Sequence, residues 1–142
     1  GETDPSVFRL QKISKRYGID LDVLMFGEEP TMEGYFITRK GQGMQVERRS
    51  DYRYESLASG FRMRKMEPFM VEVAPLAEGE RRGLNSHDGQ EFDVVMEGTL
   101  ELTIENHTMV LNEGDSIYFD ASRKHCMHAL GGKPVKFLCI VD

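Results

Sequence analysis

The sequence predicts a mainly-β domain, a sandwich or barrel of antiparallel strands, preceded by a short helical segment. Three observations carry this. After Gly34 the apolar residues recur at every second position in a series of short runs, the period of a half-buried strand. Turn-forming pairs separate those runs at short intervals: Asp88-Gly89, Glu97-Gly98, Glu105-Asn106, Glu113-Gly114 and Gly131-Gly132-Lys133-Pro134. Many short strands so spaced imply a sandwich or barrel. No long helical period interrupts them, which excludes a parallel sheet with crossover helices.

The elements follow in order. Residues 6–26 read as helical. Ser6 can cap a first helix whose Val7, Phe8, Leu10 and Ile13 share one broad face, ended by Gly18. Asp20 can cap a second, short helix carrying Leu21, Val23, Leu24 and Met25, stopped at Gly27. Two such helices cannot form a core by themselves and must dock on something else. Residues 29–34, with Pro30, read as a linker. Strands are then expected at Tyr35–Ile37, Met44–Arg49, Tyr52–Leu57, Phe69–Val73, Phe92–Met96, Thr99–Ile104, Thr108–Leu111, Ser116–Phe119, Cys126–Leu130 and Val135–Val141, with Ser50-Asp51 as a hairpin turn. If Gly131–Pro134 is a four-residue hairpin loop, Cys126 and Cys139 fall opposite each other. They are then either disulfide-bonded or two buried thiols.

The chain has 142 residues, enough for one domain with a sizeable core. Its 39% hydrophobic and 30% charged residues exclude a disordered chain. No apolar run has the roughly 18 residues of a membrane helix, and the N-terminus carries no export signal, so no membrane partner is expected. Two cysteines without a CxxC pair fit a reducing cytoplasm better than a disulfide scaffold. The net charge of −6 argues against nucleic-acid binding by these residues alone. The basic stretch from Arg39 to Lys65 runs against that balance and reads either as a solvated sheet face or as a polyanion or partner site.

The segment richest in chemistry is Asn85-Ser86-His87-Asp88-Gly89-Gln90-Glu91, followed by Gly98, with Gly114-Asp115 and His125 further on. A turn at Asp88-Gly89 can fold His87 toward Glu91. If His125 arrives from another strand, two imidazoles and a carboxylate converge, a set that binds divalent first-row metals and leaves positions open. Asp93 shares the face of Glu91. An inward carboxylate there needs a cation, a proton or a basic ligand beside it, unless a bulge turns it outward. His128, three residues after His125, is expected on the opposite face, and His107 on the surface. The methionines are expected mainly to fill core gaps.

These residues resemble the two motifs of the cupin family. Gly83, Asn85, His87, Glu91 and Gly98 occupy the frame of the first, and Gly114 and His125 that of the second. The resemblance covers roughly residues 68–142. It implies a double-stranded β-helix, or jelly-roll barrel, over 35–142, with a ligand pocket at Asn85, His87, Glu91, Asp93 and His125. It further implies His87, Glu91 and His125 as ligands for zinc, iron, manganese or nickel. Asn85 stands where the family has its first histidine, and an amide oxygen is at best a weak fourth ligand. Two readings stay open: a three-ligand metal site, or a metal-free pocket whose polar groups hydrogen-bond an organic ligand.

Residues 5–25 resemble the closing helices of a lambda-repressor-like helix-turn-helix domain of the XRE type, matched at Leu10, Ile13, Gly18, Leu21 and Leu24. The resemblance implies that 1–28 are the end of a DNA-binding domain whose recognition helix lies upstream of Thr3, so that the chain is a truncated regulator. The expected function is the ligand-sensing and dimerising part of a bacterial transcription regulator. It would be cytoplasmic and homodimeric, with a small-molecule effector, and would contact DNA through the missing N-terminal part. The strands from Tyr35 to Leu57 are the expected dimer edge. The alternatives are a small metal-dependent cupin enzyme, of dioxygenase or isomerase type, and a stand-alone binding module.

Overall fold

In the computed structural model, residues 34–48, 52–80 and 83–142 are described. Among them run nine strands: β1 (Met44–Arg48), β2 (Tyr52–Ser56), β3 (Glu67–Val73), β4 (Gln90–Glu97), β5 (Thr99–Ile104), β6 (His107–Leu111), β7 (Ser116–Asp120), β8 (His125–Leu130) and β9 (Val135–Val141). They form a six-stranded sheet in the order β1-β2-β3-β9-β4-β7 and a three-stranded sheet in the order β6-β5-β8. Every ladder is antiparallel. No helix among these residues is long and apolar enough to cross a membrane.

The period-two pattern becomes burial. In β3 and β9 every second residue is buried, so Phe69, Val71 and Val73 meet Val135, Phe137, Cys139 and Val141 in the interior. Leu100 and Leu102 of β5, with Met127 and Ala129 of β8, close the core from the other sheet. Alternation of this kind gives each strand one wet and one dry face. The same arithmetic sends Glu91 and Asp93 of β4, and His125 of β8, to the inside. These are the positions the pattern otherwise fills with valine and leucine.

The chain changes sheets between β4 and β5 at Gly98, with φ +88°. A Cβ there would lie 2.9 Å from the Pro134 carbonyl oxygen and 3.1 Å from Val135 Cα. Left-handed backbone and close approach thus coincide, a combination only glycine satisfies.

Two expectations differ from the structure. Tyr35–Ile37 joins no ladder; Phe36 instead lies against Gly60 through its ring. Three apolar residues before the turn at Lys40-Gly41 are too few to pair, and the sheet edge begins only at Met44. Second, β8 and β9 do not form a hairpin. β8 pairs with β5, whereas β9 lies between β3 and β4, so Cys126 faces Thr103 and Cys139 faces Phe69 and Asp93 across the ladders. Both cysteines are free thiols. The loop Gly131–Pro134 therefore carries the chain from one sheet to the other, as jelly rolls require. Part of the basic stretch is paired with acids: Arg53 with Glu72 at 3.1 Å and Arg64 with Glu67 at 2.7 Å. The helices expected at 6–26 and the Ser50-Asp51 turn lie outside the described residues.

Gly98→Ala should destabilise the domain by about 2 kcal/mol or more, from left-handed strain plus the clash at Pro134. Urea unfolding would show this as a lower midpoint with an unchanged slope.

Candidate functional site

The site is assembled from three segments. His87 lies on the irregular stretch that enters β4, Glu91 is the second residue of β4, and His125 opens β8. Backbone pairing fixes their separation. Asn85 and His125 exchange two hydrogen bonds, Asn85 N to His125 O at 2.8 Å and His125 N to Asn85 O at 2.7 Å. His87 N donates to Ala121 O at 2.9 Å. The 85–87 stretch is thereby stitched across the entrance to β8 and the residue following β7.

His87 Nε2 lies 3.0 Å from Glu91 Oε1, and the two imidazole centroids are 5.5 Å apart at 78°. One ligating atom from each of His87, Glu91 and His125 falls within 4.8 Å of the other two. His125 Nδ1 is 2.8 Å from the Arg123 carbonyl. A carbonyl only accepts, so Nδ1 carries the hydrogen and leaves the Nε2 lone pair free for a ligand. Phe119 packs edge-on against that ring at 5.0 Å. Both nitrogens of His87 face acceptors, Asp88 O and Glu91 Oε1, the arrangement of an imidazolium–carboxylate pair. A cation at Nε2 would take the place of that proton.

Burial alone would push the Glu91 carboxyl up. The His87 hydrogen bond, then the neighbouring Asp93 carboxyl, then the positive charge available on His87 and His125 outweigh it and hold the group below its ordinary range. Asp93 has less such help, from Cys139 alone. It is 0% exposed, and neither carboxylate oxygen has a hydrogen-bond partner. Burial pushes its carboxyl well above the carboxylate range, and the neighbouring Glu91 charge acts in the same direction. Cys139, the ladder partner of Asp93, has its thiol pushed well up by burial, then by the two carboxylates.

A cavity of about 40 Å³ opens at these three side chains. Asn85, Tyr52, Tyr54, Met127 and Cys139 contribute to its wall. Asn85 Nδ2 reaches Gly83 O at 3.4 Å, while its Oδ1 is buried with no partner. Asp93 lies beside Glu91 and is not part of the wall. His128 points away and pairs with Glu101 at 3.1 Å, and His107 is exposed at the start of β6. Sequence reasoning missed Tyr52, Tyr54 and Cys139. Their roles depend on which strands lie side by side, and only the inward parity of Cys139 was available as a signal.

Two antiparallel sheets enclosing two imidazoles and a carboxylate define a β-barrel protein with a donor set for a divalent metal. The cupin domain family matches residues 70–141, and the chain belongs to it. Solved structures show the same fold. The hydroxypropylphosphonic acid epoxidase from S. wedmorenis is 19% identical, with 98% of this chain and 76% of that one covered at a TM-score of 0.67. The Fe(II) form of HppE is 20% identical, with 98% and 77% covered, also at 0.67. The Cupin_2 domain of an XRE family transcriptional regulator from Enterobacter cloacae is 22% identical, with 65% and 96% covered, at 0.53. No curated protein matches the chain by sequence.

The Asp93 environment has a pH consequence. Between the ordinary aspartate value of about 3.9 and its raised folded value, the folded protein keeps a proton that the unfolded chain has released. Stability therefore falls as pH rises through that window. Asp93→Asn removes the falling term. Denaturation in the presence of a chelator should show the variant gaining on the parent as pH rises above about 4; parallel profiles would contradict the assignment.

Proposed function

We propose that the chain is the sensing domain of a bacterial transcription regulator, and that His87, Glu91 and His125 hold a divalent metal at which a small effector binds. The observation that carries the metal is the approach of the three ligating atoms to within 4.8 Å at a cavity. Tetrahedral bonds of about 2.0–2.2 Å to nitrogen and oxygen set ligand atoms roughly 3.3–3.6 Å apart, a spacing that lies between the 3.0 Å of His87 Nε2 to Glu91 Oε1 and the 4.8 Å within which all three atoms fall. Three protein ligands leave a position open, which lets a metal recruit an effector as a Lewis acid. The cavity's roughly 40 Å³ suits an ion with a water or two, or the chelating end of a small effector. Asn85, with its free acceptor oxygen, would hydrogen-bond a donor on that effector and lend the metal a weak fourth ligand. Asp93 would act on the pocket through its neighbour Glu91.

The regulatory part of the reading has two supports. Residues 5–25 resemble the end of a helix-turn-helix domain, and the Enterobacter cloacae neighbour is the Cupin_2 domain of a regulator. DNA would then be bound through upstream residues by a cytoplasmic homodimer. Tyr52 supplies a route outward from the site, since its hydroxyl donates to Met127 O at 3.3 Å and so ties β2 to β8. β2 lies beside the edge strand β1, and an effector acts only through differential affinity for two arrangements.

A second reading is favoured by the donor set itself. Two histidines and one carboxylate with open positions suit ferrous iron in oxygen-dependent enzymes, and the epoxidase alignment runs over 98% of this chain. Dioxygen uptake by Fe(II)-loaded protein, faster than by free Fe(II) and lost in Glu91→Ala, would move the function to an enzyme.

Zinc, manganese, nickel or anaerobic Fe(II) at about a hundredfold excess over the dissociation constant should stabilise the fold by about 2.7 kcal/mol. The thermal midpoint reads this, and His125→Ala should abolish it; no rise with any of the four ions would overturn the metal. Light scattering during gel filtration should give twice the chain's 16.2 kDa, and a monomer at high concentration would overturn the dimer.

A further inference from the structure

Beside the first ligand set lies a second group of donors. Glu91, Asp93 and Cys139 each offer a ligating atom within 4.8 Å of the other two, and all three residues are buried. Their meeting follows from the ladder. Asp93 and Cys139 are direct partners across β4 and β9, and Glu91 lies two residues before Asp93 on the same inward face. Both Asp93 oxygens are sealed from solvent without any hydrogen-bond partner. Such a group is costly to bury and calls for a proton or a cation.

We propose that Cys139, Asp93 and Glu91 form a second cation locus, for a thiophilic divalent ion such as zinc, joined to the His87–Glu91–His125 set through Glu91. A thiolate with carboxylate oxygens is a zinc-type donor set. A carboxylate has two oxygens, so Glu91 can face His87 with one and the second ion with the other. Forming the bond from Cys139 Sγ to the metal displaces the thiol proton, and coordination by Asp93 displaces the carboxyl proton it keeps in the empty site; both leave to solvent. The ion satisfies both orphaned oxygens of Asp93 and places two cations against the shared carboxylate. The inference rests on the reading of the first set only through Glu91.

The test is titration of the metal-free protein with Co(II) and with zinc. Bound equivalents are counted by native mass spectrometry, and the thiolate-to-cobalt charge-transfer band is followed in the near ultraviolet. The wild type should take two equivalents and show the band. The His87→Ala/His125→Ala double variant should keep one equivalent and the band. Cys139→Ser should keep one equivalent and lose the band. Asp93→Asn should weaken the thiolate locus by about tenfold or more. One equivalent without a band in the wild type would overturn the second locus, leave a proton as the occupant of Asp93, and leave the first metal standing. No uptake at all would overturn both. A band that survives Cys139→Ser and vanishes in Cys126→Ser would also overturn the proposal. The wild-type spectrum decides without any variant having to fold.

Discussion

The structure depends on keeping an ionised carboxylate, Glu91, inside a β-barrel. Removing such a group from water costs several kcal/mol, and a single good partner rarely recovers all of it. His87 supplies the partner at 3.0 Å, and His125 brings a ring nitrogen within 4.8 Å of the same carboxylate. Taking away one member of a buried pair leaves the other uncompensated, at a cost of about 3–5 kcal/mol. The two imidazoles are therefore part of what lets the strand β4 run inside with an acid at its start. The polar group that a ligand would use is also a group the fold must neutralise.

Register makes that neutralisation possible. Glu91 pairs with Phe119 on one side and Val141 on the other, so its inward direction is fixed by two ladders at once. A one-residue slip would turn Glu91 and Asp93 outward and bring Phe92 and Val94 in. The hydrophobic pattern would still be served, since valine and phenylalanine would face the core. What resists the slip is the stitching of 85–87 to His125 and Ala121, which would have to break with it. The site and the register thus hold each other in place.

Much of this was legible in the residues. The period-two runs located the strands, because alternation is a local property that burial obeys. His87 and Glu91 could be placed together from the Asp88-Gly89 turn between them, and His125 from its motif spacing to Gly114. The inward direction of Asp93 followed from Glu91 by parity. Pairing between strands far apart in sequence was not legible. The hairpin reading of Gly131–Pro134 was reasonable for four turn-forming residues, yet a jelly roll uses the same residues to step between sheets. Nothing local distinguishes the two, and the partners of Cys126 and Cys139 depended on that choice. Tyr35–Ile37 failed for a related reason: three apolar residues state a preference for extension but not the presence of a neighbour to pair with.

Asp93 is the feature that hydrophobic packing does not explain. Valine at that position would bury as well, cost no desolvation, and continue the row formed with Val95. Its carboxylate faces an acid and a thiol in place of a base. The arrangement is therefore worse than an apolar residue for an empty, metal-free barrel. A group that lowers the stability of one state can still stabilise another, provided something binds that satisfies it. A barrel strained in this way gains more from occupancy than one already content when empty. Sensing needs that difference between free and occupied states, because an effector acts only as far as the two states differ in their affinity for it.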